Sequence, residues 1–168
     1  NIVMTAADQD YLSGFVPAER IARIDPFIDT GLLVASPLAD DPWAGKPGAR
    51  LLTVGMMRPG AKLESYGVLA AALARLRHLD WSLTIVGGGP GEQEVRERFA
   101  WEQHGRVALV GERPPGEVLT LMAMADILAW PGCREAYGMV YLEAASRGTP
   151  AVALANMGVP LVVSHDRT

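Results

Sequence analysis

The sequence predicts an α/β protein built on a doubly wound parallel sheet, and three observations support this. Short apolar runs recur from residue 50 onward, as expected of strands buried on both faces. Between them lie segments whose apolar residues repeat at helical spacing. Glycine- and proline-rich turns follow the apolar runs, so the polar loops gather at the carboxyl ends of the strands, where such sheets bind ligands. Right-handed crossovers then place helices on both faces.

Taken in order, Ile2-Val-Met4 predicts a short strand, residues 7–15 a helix, and residues 20–24 the start of a second strand before Asp25-Pro-Phe-Ile-Asp29. Residues 36–48 are rich in Pro, Asp and Gly and predict a loop. The expected organisation is a lead-in over 1–35, a loop over 36–49 and the main domain over 50–168. Within that domain Arg50–Gly55 is a strand closed by glycine. Residues 65–77 carry Val68, Leu69, Ala72, Leu73 and Leu76 at helical spacing with basic residues late, which suits the helix dipole. Ser82–Val86 is the next strand, Glu92–Gln103 a charged amphipathic helix, and Arg106–Val110 a strand ending at Gly111. Residues 115–125 form a helix, Ile127–Trp130 a strand, and Met139–Arg147 a helix stopped by Gly148, where a residue at positive φ is expected. Pro150–Leu154 is the last strand.

Composition narrows the function. The 168 residues are 49% hydrophobic and 20% charged, enough for one domain with a core. A net charge of −4 argues against a nucleic-acid footprint. No apolar run has the length of a membrane span and no signal peptide opens the chain. The single cysteine, Cys133, excludes an intramolecular disulfide and suits a reducing compartment. His78, His104 and His165 lack metal-ligand spacing, so no metal is expected. The chain opens without Met in what reads as a strand and stops in the polar stretch 164–168. It is therefore expected to be a segment of a longer chain.

Four strand-end loops hold the candidate chemistry. Gly55-Met-Met-Arg58-Pro-Gly-Ala-Lys62 offers two cations, which could neutralise a diphosphate, Arg58 as a planar fork and Lys62 as a point charge, or could form a solvated basic loop. Gly87-Gly88-Gly-Pro-Gly91 fails the dinucleotide fingerprint, because the third required glycine is Glu92; a tight strand-to-helix turn is the favoured reading. Gly111-Glu-Arg113-Pro-Pro-Gly116 is stiffened by its prolines and could set peptide groups or Arg113 against a flat base. The segment Pro131-Gly-Cys-Arg-Glu135-Ala-Tyr137-Gly138-Met139-Val140-Tyr-Leu-Glu143 points furthest. It combines a Pro/Gly turn, two carboxylates, and a predicted helix start whose first N–H groups are free to meet an anion at the side-chain-free Gly138. Glu143 could accept hydrogen bonds from a ribose diol, and Glu135 could contact a transferred sugar.

From about residue 50 to the end, the chain resembles the nucleotide-binding, C-terminal half of the group 1, family-four glycosyltransferases, retaining enzymes of two-domain GT-B architecture. The likeness lies in Thr53-Val-Gly55 with its following cations, Thr84-Ile-Val-Gly87-Gly-Gly-Pro90, Val107-Ala-Leu-Val-Gly111, Ala125-Asp126, the Glu135–seven residues–Glu143 spacing, and Gly148-Thr-Pro-Ala-Val-Ala153. Residues 1–29 resemble the family's interdomain crossing. The resemblance implies a Rossmann-like domain in which Arg58 and Lys62 hold the diphosphate of a nucleotide sugar. It implies Glu143 on the ribose, Glu135 on the donor sugar as the catalytic residue, and the amides of Gly138, Met139 and Val140 on phosphate or sugar, with Gly88, Arg113 and Tyr137 completing the pocket.

The implied reaction moves a sugar to an acceptor hydroxyl with retention, without metal or cofactor. An N-terminal acceptor domain would precede this segment, and the whole enzyme would be cytoplasmic or peripheral to the inner membrane through that domain. Without that half, turnover is not expected. Three features depart from the family pattern. Arg58 does not directly follow the strand-end Gly55 and stands four residues before Lys62; the usual acid of the glycine-rich turn is Gly88; the usual Pro-Ser is Pro131-Gly132. A GT-B sugar-nucleotide epimerase, a Rossmann-type NAD domain and a non-catalytic doubly wound scaffold are the alternatives.

Overall fold

In the computed structural model, which describes residues 1–165, the buried run Leu51-Leu52-Thr53 forms the centre of a five-stranded, all-parallel sheet. Main-domain strands β3 (Ala49–Val54), β4 (Trp81–Val86) and β5 (Val107–Gly111) lie to one side, and β6 (Ile127–Ala129) and β7 (Ala151–Val152) to the other, in the order β5-β4-β3-β6-β7. The chain builds outward from β3 in one direction, then returns to its other edge. That reversal between β3 and β6 is the topological switch point at which doubly wound sheets open a crevice. The predicted fold class is the observed one.

Helices α2 (Ala61–Arg75), α3 (Glu92–Arg98), α4 (Pro115–Met124) and α5 (Met139–Ala145) cross between the strands. Every residue of β4 is buried, and Leu52, Leu83, Ile85 and Leu128 are fully enclosed, as expected when helices cover both faces of the sheet. Two polar contacts tie β3 to β6: Thr53 Oγ1 donates to the carbonyl of Ala129 at 2.7 Å, and the Arg50 amide donates to Asp126 at 2.7 Å. The lead-in forms its own two-stranded parallel sheet, β1 (Ile2–Val3) with β2 (Ala22–Arg23), joined by α1 (Ala6–Ser13). Residues 36–48 pack on the main domain: Ser36 accepts from Thr120 Oγ1 at 2.6 Å and Trp43 joins the core.

The expected boundaries of α1, β2, α5 and β7 are off by one or two residues, with Arg20, expected in a strand, ending a 3-10 turn at Ala18–Arg20, and the largest departures are at α2 and α3. Helix α2 starts at Ala61, four residues before Ser65. Gly60, at φ 87°, ends the loop, and Ser65 is spent inside the helix, donating to Ala61 and accepting from the Cys133 amide at 2.9 Å. Helix α3 stops at Arg98, because Phe99 turns into the core and the following loop is organised by Glu102, which accepts from the amides of His104 and Arg106. Strand β7 is shorter than its apolar run. The expected terminal turn over 164–168 lies partly outside the described residues.

The glycine-rich turn serves loop packing. Gly87, at φ 135°, abuts the carbonyl of Gly55, and Gly89, at φ 139°, that of Met57; a Cβ at either would overlap backbone. Gly45 also has positive φ but faces open space. Gly87→Ala is therefore expected to cost ~2 kcal/mol or more, and Gly45→Ala only ~1 kcal/mol. Urea unfolding of both variants checks this, and equal costs would mean that backbone conformation alone matters at Gly87.

Candidate functional site

Because β3, β4 and β6 end at the same level, the loops after Val54, Val86 and Trp130 surround one cavity of about 480 Å³. Its lining includes Gly55 and Met56 after β3, Gly87 and Gly88 after β4, Glu112 and Arg113 after β5, Trp130 and Glu135 after β6, and Gly138, Met139 and Val140 at the start of α5. Lys62 enters from the first turn of α2. The cavity thus lies outside the carboxyl ends of the strands, at the switch point.

Its polar centre is an ion pair. Lys62 Nζ donates to Glu135 Oε2 at 2.6 Å, with side-chain exposures of 23% and 20%, across 73 residues of sequence. Nζ also sits 5.4 Å from the centre of the buried Trp130 ring, an attractive cation–π position. An ammonium has three donors, so Lys62 can hold Glu135 and still offer hydrogen bonds to a ligand.

The loop bearing Glu135 is fixed from three sides. Cys133 N–H donates to Ser65 Oγ, Tyr141 Oη donates to the Trp130 carbonyl at 2.9 Å, and Gly158 N–H donates to the Glu135 carbonyl at 3.3 Å. Gly132 and Arg134 both take positive φ within it. Gly138, left-handed at φ 70°, lies against the Tyr141 ring and opens α5 without a side-chain cap. The first amides of that helix have no intrahelical acceptor. A seven-residue helix carries a modest dipole, so these amides act mainly as directed donors.

Of the residues anticipated for binding, Lys62, Gly88, Arg113, Glu135, Gly138, Met139 and Val140 share this cavity, and Arg58, Tyr137 and Glu143 are not among its lining residues. Arg58 is exposed on the β3–α2 loop, while Met56 takes the place beside the cavity. Lys62 is on a helix rather than on a mobile loop, since α2 begins at Ala61. The Tyr137 ring turns toward the lead-in. Burial and the Asp8 and Asp25 carboxylates raise its phenol above the ordinary value, Arg23 opposing, and its buried hydroxyl has no partner. Glu143 is half-buried on α5, and burial raises its carboxyl above the ordinary carboxylate value. Arg113 reaches toward Glu117, 3.6 Å away. The structure adds Glu112, Trp130, Met56 and Val118 to the lining. A strand-end position was the available signal for Glu112 and Trp130. Met56 and Val118 carried none.

Among the described residues, no group of three or more His, Cys, Asp or Glu is arranged to hold a metal, and no helix is long and apolar enough to cross a membrane.

Residues 48–168 match the sequence profile of the family described as Glycosyl transferases group 1. A D-inositol 3-phosphate glycosyltransferase of Corynebacterium efficiens is 38% identical over 171 residues, 96% of this chain and 39% of that protein. A GDP-mannose-dependent alpha-(1-6)-phosphatidylinositol monomannoside mannosyltransferase of Mycolicibacterium smegmatis is 32% identical over 94% of this chain and 44% of that protein. The Anabaena protein HepE, crystallised with UDP-glucose, superposes with a TM-score of 0.69 at 24% identity, over 98% of this chain and 47% of that one, a likeness of fold. Sucrose-phosphate synthase from Thermosynechococcus elongatus gives 0.67 at 27% identity, over 94% and 41%. The chain spans under half the length of each of these relatives.

Glu143 gives a pH-dependent expectation. A carboxyl whose folded pKa is raised costs stability when charged, and that cost vanishes as pH falls through the raised value and below the unfolded one. Glu143→Gln should therefore raise the melting temperature by about 1–3 °C at neutral pH, with the gain fading on acidification. Calorimetric scans at several pH values test this; a lower melting temperature at neutral pH would show that the carboxylate is engaged favourably.

Proposed function

Because this chain belongs to the group 1 glycosyl transferases, we propose that it is the donor-binding half of an enzyme that moves a sugar from a nucleoside diphosphate to an acceptor hydroxyl, with retention at the anomeric carbon. The observation that supports this most is the convergence of Lys62, Glu135 and the Gly138–Val140 amides on one cavity at the switch point. In this reading the diphosphate lies against Lys62 Nζ and the amides at the start of α5. These groups gain most when charge builds on the departing diphosphate, and so favour bond breaking over simple binding.

Glu135 takes the hydroxyls of the donor sugar. Held by Lys62, it orients as an acceptor without placing an uncompensated negative charge beside the phosphates. The buried Trp130 lines the cavity beside Lys62 and offers its ring to the ammonium. Glu143, on α5 outside the cavity lining, accepts from the ribose diol only if its side chain turns toward the nucleotide, and its raised pKa means that such a contact weakens as pH falls. No bound metal is required, since Lys62 and the amides supply the positive potential. Arg58 reaches the phosphates only if its loop closes over them. The acceptor is bound by the preceding half of the longer protein, which works in the cytoplasm or at the inner face of the membrane.

Calorimetric titration with UDP, GDP and ADP tests the reading. At least one should bind, and Lys62→Ala should weaken it about 10- to 100-fold, the worth of a charge-assisted hydrogen bond. The 168-residue chain should bind without transferring sugar. Robust transfer by it alone would contradict the assignment of the acceptor site to the other half, and failure of all three nucleotides to bind would contradict the donor role.

A further inference from the structure

Glu112 is a cavity carboxylate that the donor reading above leaves without a task. Strand β5 pairs regularly with β4 up to Leu109, after which the register jumps, Val86 pairing with Gly111, so that Val110 is an extra residue. Bulges of this kind re-aim the side chains that follow them. Gly111 then turns at φ 74°, and the Glu112 side chain folds over Gly88, where a Cβ would stand 3.0 Å from its Cγ and 3.1 Å from its Oε1. Of the two carboxylates lining the cavity, Glu135 is paired with Lys62, whereas Glu112 has no ion-pair partner among the described residues. The adjacent Arg113 is turned to Glu117.

The cavity therefore has two unlike ends. Lys62 and the α5 amides form a donor-rich end suited to phosphate. The β4–β5 end holds an unpaired carboxylate beside Val86, Gly88 and Val118, which offer apolar surface and open space. A carboxylate repels phosphate and can only accept hydrogen bonds, two oxygens side by side. A flat base at this end gains most from it by presenting two parallel donors. Guanine does so with N1–H and its N2 amino group. Uracil presents one N–H flanked by two carbonyl oxygens, and adenine sets its amino group beside an acceptor nitrogen, so each leaves a carboxylate oxygen facing an acceptor. We infer that Glu112 reads the Watson–Crick edge of guanine, making this a site for a guanosine diphosphate sugar. The inference rests on the donor reading and deepens it.

The test is to titrate GDP, IDP and UDP into the 168-residue chain and into Glu112→Ala. IDP keeps N1–H and lacks the amino group, so it carries one of the two hydrogen bonds. The unaltered chain should bind GDP about tenfold or more tighter than UDP, with IDP between them. In Glu112→Ala the GDP advantage should disappear while UDP affinity does not fall. Glu112 is exposed, so the variant should fold, and circular dichroism confirms it. Equal affinities in the unaltered chain, or a GDP preference that survives Glu112→Ala, would overturn the inference and leave the donor reading standing. No binding by any of the three would overturn both.

Discussion

The Lys62–Glu135 ion pair is the contact on which the cavity depends. It joins the first turn of α2 to the loop after β6, elements on either side of the gap that the sheet's change of direction opens. Both groups are partly withdrawn from water, so the pair is screened less than an exposed one. Removing either partner would leave the other unneutralised beside Trp130. The pair also sets the electrostatics of binding: Lys62 is matched by one carboxylate, so an arriving anion shares the ammonium and does not confront a bare charge. That favours ligands bearing both phosphates for Lys62 and hydroxyls for Glu135.

The surrounding scaffold keeps the two halves of this pair in place with neutral hydrogen bonds. Ser65 couples α2 to the Cys133 amide, and Tyr141 couples α5 to the Trp130 carbonyl. Both are buried, and burial raises the Tyr141 phenol above its ordinary value, keeping it a neutral donor. A buried donor or acceptor left unpaired costs ~1–3 kcal/mol, so loss of either bond would loosen the loop on which Glu135 sits. Glycines divide into two kinds. Gly89 and Gly132 let backbone or ring approach closely, whereas Gly87, Gly88 and Gly138 also face the cavity.

Much of the sheet was legible because parallel strands are apolar nearly throughout and end in glycine: β3, β4 and β5 fall where the apolar runs place them. That the strand-end loops would meet was legible from handedness and topology, which bring Lys62 and Glu135 together over 73 residues of chain. What stayed hidden depends on local aim. The start of α2 was obscured because Ser65 resembles a cap but spends its hydroxyl within the core. Arg58 has a suitable side chain on a loop that directs it to solvent. Tyr137 stands beside Gly138 in sequence, yet the left-handed turn sends its ring toward the lead-in. Glu112 is brought to the cavity by a register shift, which alternation of residue types does not reveal.

One cavity, centred on Lys62 and Glu135, is proposed to receive the nucleotide. An amide-resolved NMR titration of the 168-residue chain with a nucleoside diphosphate tests it most directly. The largest shifts should fall at Gly88, Lys62 and the amides of Gly138, Met139 and Val140, with the lead-in sheet unmoved. Shifts concentrated on the lead-in or at the amino ends of the strands, with those amides silent, would contradict it.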